Sequence, residues 1–123
     1  MSNAIATTSS SINQFVRQVR ESRSEFDIIS SELHSLDGVV ELVKDDASSF
    51  PPHLANKTPG VLGTCLAILN ELEGCISVLD RSSASTVDKK SRWLASRDHI
   101  AKLRWTLEGY KHTLGLAVDL VAL

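Results

Sequence analysis

The chain has 123 residues, 42% apolar and 23% charged, the size and balance of one soluble domain. Aromatics at 5% and only six glycines argue against a β-sandwich or barrel, and Leu and Ala favour helix. The formal charge of −2 is split: residues 1–80 carry 5 Lys/Arg against 11 Asp/Glu, and residues 81–123 carry 8 against 4. An acidic first part and a basic second part suit neighbouring helices of one domain. The positive excess is too small for a nucleic-acid interface, and no nucleic-acid motif is present, so no nucleic-acid partner is expected.

Residues 1–10 ("MSNAIATTSS") are polar and lack the apolar core of a secretion signal. They read as a disordered tail, with "MSNA" as an expression remnant, ahead of a single folded domain over residues 11–123. The first helix is expected over residues 10–46. Ile12, Phe15, Val19, Ser22, Phe26, Ile29, Leu33, Leu36, Val40 and Val43 alternate in steps of three and four, a heptad stripe with Ser22 as its one polar member. Ser9, Ser10 and Ser11 offer N-caps. Such a helix would run about 55 Å, with Gly38 costing about 1 kcal/mol against Ala and permitting a bend.

The stretch "ASSFPPHLANKTPG" breaks the pattern. Pro51 and Pro52 open a short helical turn through residues 53–56, and Thr58 followed by Pro59 is a helix restart, cap then first turn. The second helix, residues 59–80, presents Leu62, Cys65, Leu69, Leu72, Ile76 and Leu79, widened by Leu66 and Ile68. Cys65 and Cys75 lie about 15 Å apart along it, too far for a disulfide, so both are expected as reduced thiols of an intracellular protein.

"RSSASTVD" is a linker with Ser85 or Thr86 as the next cap. The third helix, residues 87–121, repeats the alternation with Trp93, Ser96, Ile100, Leu103, Leu107, Tyr110, Leu114, Ala117 and Val121. Ser96 before Arg97 and Asp98 equally fits a fresh start, so a continuous helix and a break at 95–97 both stand. The expected fold is all-α: an antiparallel up-down bundle of three long helices plus the short turn near 51–56.

The chain finishes on "LGLAVDLVAL", apolar on most sides. Leu116, Val118, Leu120 and Leu123 fall off the stripe that holds Leu114, so these five residues form the candidate association surface. This run is about half of the ~20 residues a membrane-spanning helix needs, and no spanning segment is expected.

Chemistry is sparse. His34, His53, His99 and His112 show no metal-ligand spacing, the cysteines form no CxxC, and neighbouring Asp98 and His99 diverge on a helix. No phosphate loop, dinucleotide fingerprint or nucleophile elbow is present, and Gly60 and Gly63 belong to a helix start. Neither enzymatic activity nor a metal or cofactor is expected. The remaining candidate surface is basic: Arg81, Lys89, Lys90, Arg92, Arg97, Lys102, Arg104 and Lys111. Within it Lys90, Arg97, Arg104 and Lys111 step by seven along one face, with Trp93 and Trp105 at its margin. That face pairs with the acidic first helix or lies on an anionic membrane.

Three stretches carry a resemblance. "VRQVRESRSEFDIISSELHSLDGVVELVKDD" contains Ser30, Glu32, Leu33, Leu36, Val39, Val40 and Val43 in the order of an "S.EL..L..VL..L" helix. "FPPHLANKTPGVLGTCLAILNELEGCISVLD" matches an "LP..L" link at Phe50, Pro51 and Leu54. A "GC..VL.EL...I" helix follows at Thr64, Cys65, Ile68, Leu69, Glu71, Leu72 and Ile76. "KKSRWLASRDHIAKLRWTLEGYKHTLGLAVDL" supplies Trp93, then Ile100, Leu103, Leu107, Glu108, Tyr110, Lys111, Leu114, Leu116 and Ala117. Together they resemble the N-terminal domain of fungal STAND (NLR-like) receptors, the HeLo-like family, over about residues 12–121.

The resemblance implies a non-enzymatic signalling domain of a cytoplasmic receptor, acting in allorecognition or programmed cell death. Its implied partners are itself, as a homo-oligomer and first of all a dimer, or other domains of the same receptor. Related HeLo domains attack membranes, which implies recruitment to an anionic plasma membrane as the alternative role. The family places an apolar helix ahead of the first motif, where only "AIATTSSSI" stands here. The expectation is therefore a four-helix HeLo-like bundle lacking its first helix.

Overall fold

The computed structural model describes residues 2–80 and 85–122 and is an all-α bundle. It holds four long helices among these residues: α1 (Ser2–Gln18), α2 (Arg23–Asp46), α3 (Pro52–Leu79) and α4 (Thr86–Ala122).

The long first helix expected from the stripe is two helices folded back on each other. Val19 leaves helical geometry at φ −124° and ψ 85°, and a short 3-10 turn, Arg20–Ser22, reverses the chain. Ser22, the one polar member of the stripe, is fully buried there and donates its hydroxyl to the Val19 carbonyl at 2.6 Å. All ten stripe residues are nonetheless buried, between 0% and 3% exposed. The reversal lets both halves share one core: the Phe15 and Phe26 rings meet edge to face with centroids 5.7 Å apart. α2 continues through Gly38 as one helix.

Residues 2–10 are therefore not a tail. Ile5 (5% exposed) and Thr8 (1%) face the core, and Ala4 packs against it. The Thr7 and Thr8 hydroxyls bond back to the Asn3 and Ala4 carbonyls, so polar side chains are satisfied within the helix. α1 is thus formed by residues expected as a tail together with the start of the helix expected over residues 10–46.

α3 also departs from expectation. The turn near 51–56 and the helix from 59 are one continuous helix with Pro59 inside it. Pro59 forfeits the bond to the Ala55 carbonyl, but both residues are exposed, so that carbonyl is open to solvent. Thr58 does not cap; its hydroxyl donates to the Leu54 carbonyl at 2.7 Å. α4 is likewise unbroken through Ser96. Ser85 caps it, its Oγ accepting the Asp88 amide at 3.2 Å.

The helices run alternately up and down. α1 packs on α2 and α3, and α4 packs on α3 and α2. Paired residues give the directions. Ser11 meets Glu73 and Gln18 lies beside Asp80 through Lys89, so α1 and α3 are parallel. Glu21, Glu25 and Glu32 meet Lys90, Arg97 and Arg104 in the same order, so α2 and α4 are parallel. Glu71 meets His99 while Asp80 meets Lys89, so α3 and α4 are antiparallel.

Candidate interaction surface

The basic face is consumed inside the fold. Lys90 pairs with Glu21 at 3.3 Å, Arg97 with Glu25, and Arg104 with Glu32 at 3.1 Å. Lys111 acts electrostatically on the same Glu32. A seven-residue step on α4 meets a matching step on α2, because residues seven apart on parallel helices recur on one side. Most of these pairs are half exposed and individually worth under about 1 kcal/mol. Their effect is to neutralise the stripe that an anionic membrane would need.

Glu32 is the most enclosed carboxylate of this seam, 19% exposed at its side chain. Burial pushes its pKa above the ordinary carboxylate value; Arg104 pulls it back, while repulsion by Glu108 and a hydrogen bond that protonated Glu32 donates to Glu108 push it further up. Glu21 is lowered, first by a backbone hydrogen bond and then by Lys90.

Lys89 is no surface cation. It is 4% exposed, and its Nζ donates to Gln18 Oε1 of α1 and to Asp80 Oδ1, at the end of α3, at 2.9 Å. It ties α1, the end of α3 and α4 together. The two tryptophans separate. Trp93 is 4% exposed, its Nε1 is buried without a hydrogen-bond partner, and Arg97 stacks on its ring at 5.3 Å. Trp105 is 64% exposed, with Arg104 5.9 Å from its ring centroid.

The apolar association surface expected at the C-terminus divides in two. Leu114 and Val118 point into the bundle's own core, 2% and 8% exposed, because they continue the inward stripe one turn apart. Leu116 and Leu120 point outward at 52% and 60%, and Leu123 lies outside the described residues. The outward pair belongs to a longer feature not expected from the sequence. Val87, Leu94, Trp105 and Leu116 are all exposed and lie nearly in line, since seven residues make two turns less about 20° and eleven make three turns plus about 20°. Leu120 flanks the lower end. α4 therefore carries one apolar stripe facing the core and, on the opposite side, a line of exposed apolar residues interspersed with Ser91, Asp98 and His112. The signal was present as the spacing of Leu94, Trp105 and Leu116, which a search for steps of three and four passes over.

The remaining groups offer little chemistry. Cys65 is buried and Cys75 part-buried, both free, and burial pushes both thiols up, which leaves them poor nucleophiles. His99 Nε2 sits 3.2 Å from Glu71 on the surface. Among the described residues no three His, Cys, Asp or Glu side chains gather as a metal site would require. Contrary to expectation, one helix among the described residues, α3, is long and apolar enough to cross a membrane; 28% of its most apolar window is buried in the bundle.

Compared with known proteins, the chain matches no family model, no curated protein and no solved structure.

Proposed function

We propose that this chain is a non-enzymatic signalling and interaction domain that works by helix-mediated self-association. The observation that carries the reading is the second apolar stripe of α4, which a bundle of four helices has no internal use for. The basic seam supports it, because three of its four cations in line, Lys90, Arg97 and Arg104, already pair with carboxylates within the fold. The resemblance to HeLo-like domains of fungal STAND receptors supplies the setting: a cytoplasmic receptor domain in allorecognition or regulated cell death, associating with itself or with other domains of the receptor. The residues behind that resemblance are largely core positions: Leu33, Leu36, Val40, Cys65, Leu69, Leu72, Trp93, Ile100 and Leu114 are all buried.

Light scattering over a concentration series tests this reading. Mass rising from that of one chain toward two is the expected result; one chain at every concentration overturns it. A second reading, a membrane-permeabilising effector, draws on α3, which is long and apolar enough to cross a membrane were it to leave the bundle. Dye release from anionic vesicles, absent with neutral ones, would favour it.

A further inference from the structure

We propose that the outer face of α4 binds a second copy of this chain antiparallel to itself, about a two-fold axis at Trp105. This deepens the self-association reading and rests on it.

The register follows from spacing. Leu94 and Leu116 each lie eleven residues from Trp105, and all three are exposed on one line. A two-fold axis through Trp105 therefore sets Leu94 of one copy against Leu116 of the other at both ends, with the two Trp105 rings at the centre. A C2 interface must be self-complementary in this way, each patch meeting its own image. No shift of register keeps all three apolar residues opposed.

Charge agrees with the same register. Asp98 falls opposite His112 of the second copy, since each lies seven residues from Trp105, one on each side. In this register no carboxylate is set against a carboxylate. A parallel pairing would instead set Asp98, Glu108 and Asp119 each against its own copy, and like charges at close range oppose association.

Size bounds the strength. From Val87 to Leu120 the stripe is about 50 Å long and about 10 Å wide, or about 500 Å² per copy. About 1,000 Å² in total is the low end for a specific interface, so a micromolar dissociation constant is expected rather than a permanent dimer. Ile28 of α2 (50% exposed) widens the patch; it lines a cleft between α2 and α4 with Arg97, Ala101 and Arg104.

The test uses the full chain in three arms. Sedimentation equilibrium of the wild type reads association itself. Trp105→Glu and Leu116→Glu, both at exposed positions, should weaken it at least about tenfold while helix content and melting temperature hold. Leu94→Cys and Leu116→Cys chains then read the register under mild oxidation: mixed together they should cross-link to each other, and each alone should not, because like positions are about 33 Å apart along the axis. The native thiols give the background in the unsubstituted chain. A wild-type dimer that survives both glutamates, or Leu94→Cys chains that cross-link among themselves, overturns the proposal and leaves self-association through another surface. A wild type that stays monomeric overturns both.

Discussion

Ile5→Ala separates a packed first helix from a tail. Ile5 is 5% exposed, on the first turns of α1 against the core. The substitution removes three carbons, and at about 0.8 kcal/mol per buried methylene the transfer loss is about 2.4 kcal/mol. The site is near the end of its helix and can partly collapse, so little is added for a cavity and about 2 kcal/mol is the expected cost. Unfolding entropy near 2.1 cal/mol/K per residue gives about 0.26 kcal/mol/K for a chain of this length, so the melting temperature should fall by about 8 °C. Thermal denaturation followed by circular dichroism measures it, with exposed Gln14→Ala as the control expected within about 2 °C. A fall of under 2 °C for Ile5→Ala would show that residues 2–10 do not pack, and the four-helix description would fail.

Three further outcomes follow from the same structure. Lys89→Met strips the partner from Asp80, whose side chain is 14% exposed, and should cost about 3 kcal/mol, or about 11 °C in melting temperature. Asp80→Asn in the same chain should recover part of that loss, and a double-mutant cycle on the melting curves reads the coupling. For Glu32 the folded pKa is raised, so between its unfolded and folded values the native state binds more protons, and stability falls as pH rises through that window. Glu32→Gln should flatten that part of a stability-versus-pH curve, measured by urea unfolding from pH 4 upward; an unchanged slope would refute the assignment. Raising salt from 0.05 to 0.5 M should lower stability by less than about 1 kcal/mol, because the pairs of Lys90 and Arg97 are half exposed and screened easily.

Much of the core could be read directly, since burial obeys periodicity. Each residue of the stripe from Ile12 to Val43 is inward, and the pairing of an acidic α2 with a basic α4 follows from their matched seven-residue steps. The reversal at Val19 escaped that reading because the 3-10 turn keeps the stripe in phase, so spacing alone cannot tell one helix from two. Ser22 was the only trace: a polar residue in the buried stripe, used there to bond the turn. Pro59 misled for a different reason. An interior proline costs a helix the bond to the residue four back and bends it, and here Pro59 and Ala55 both lie on the exposed side of α3, where the bend meets no packed neighbour. In α1 the run of Thr and Ser suggested a tail by composition, but hydroxyls can satisfy themselves on the preceding turn while Ile5 and Ile12 pack. The outer stripe of α4 has the opposite character: its residues were plain in the sequence, and only exposure distinguishes them from core.

Sedimentation equilibrium of the wild-type chain beside Trp105→Glu is the most direct test of the central claim, that the outer stripe of α4 is met by a second copy. The account predicts a monomer–dimer equilibrium in the micromolar range for the wild type and a monomer for the variant at the same concentrations, with both chains equally helical. Equal masses for the two chains, whether one chain or two, would contradict it.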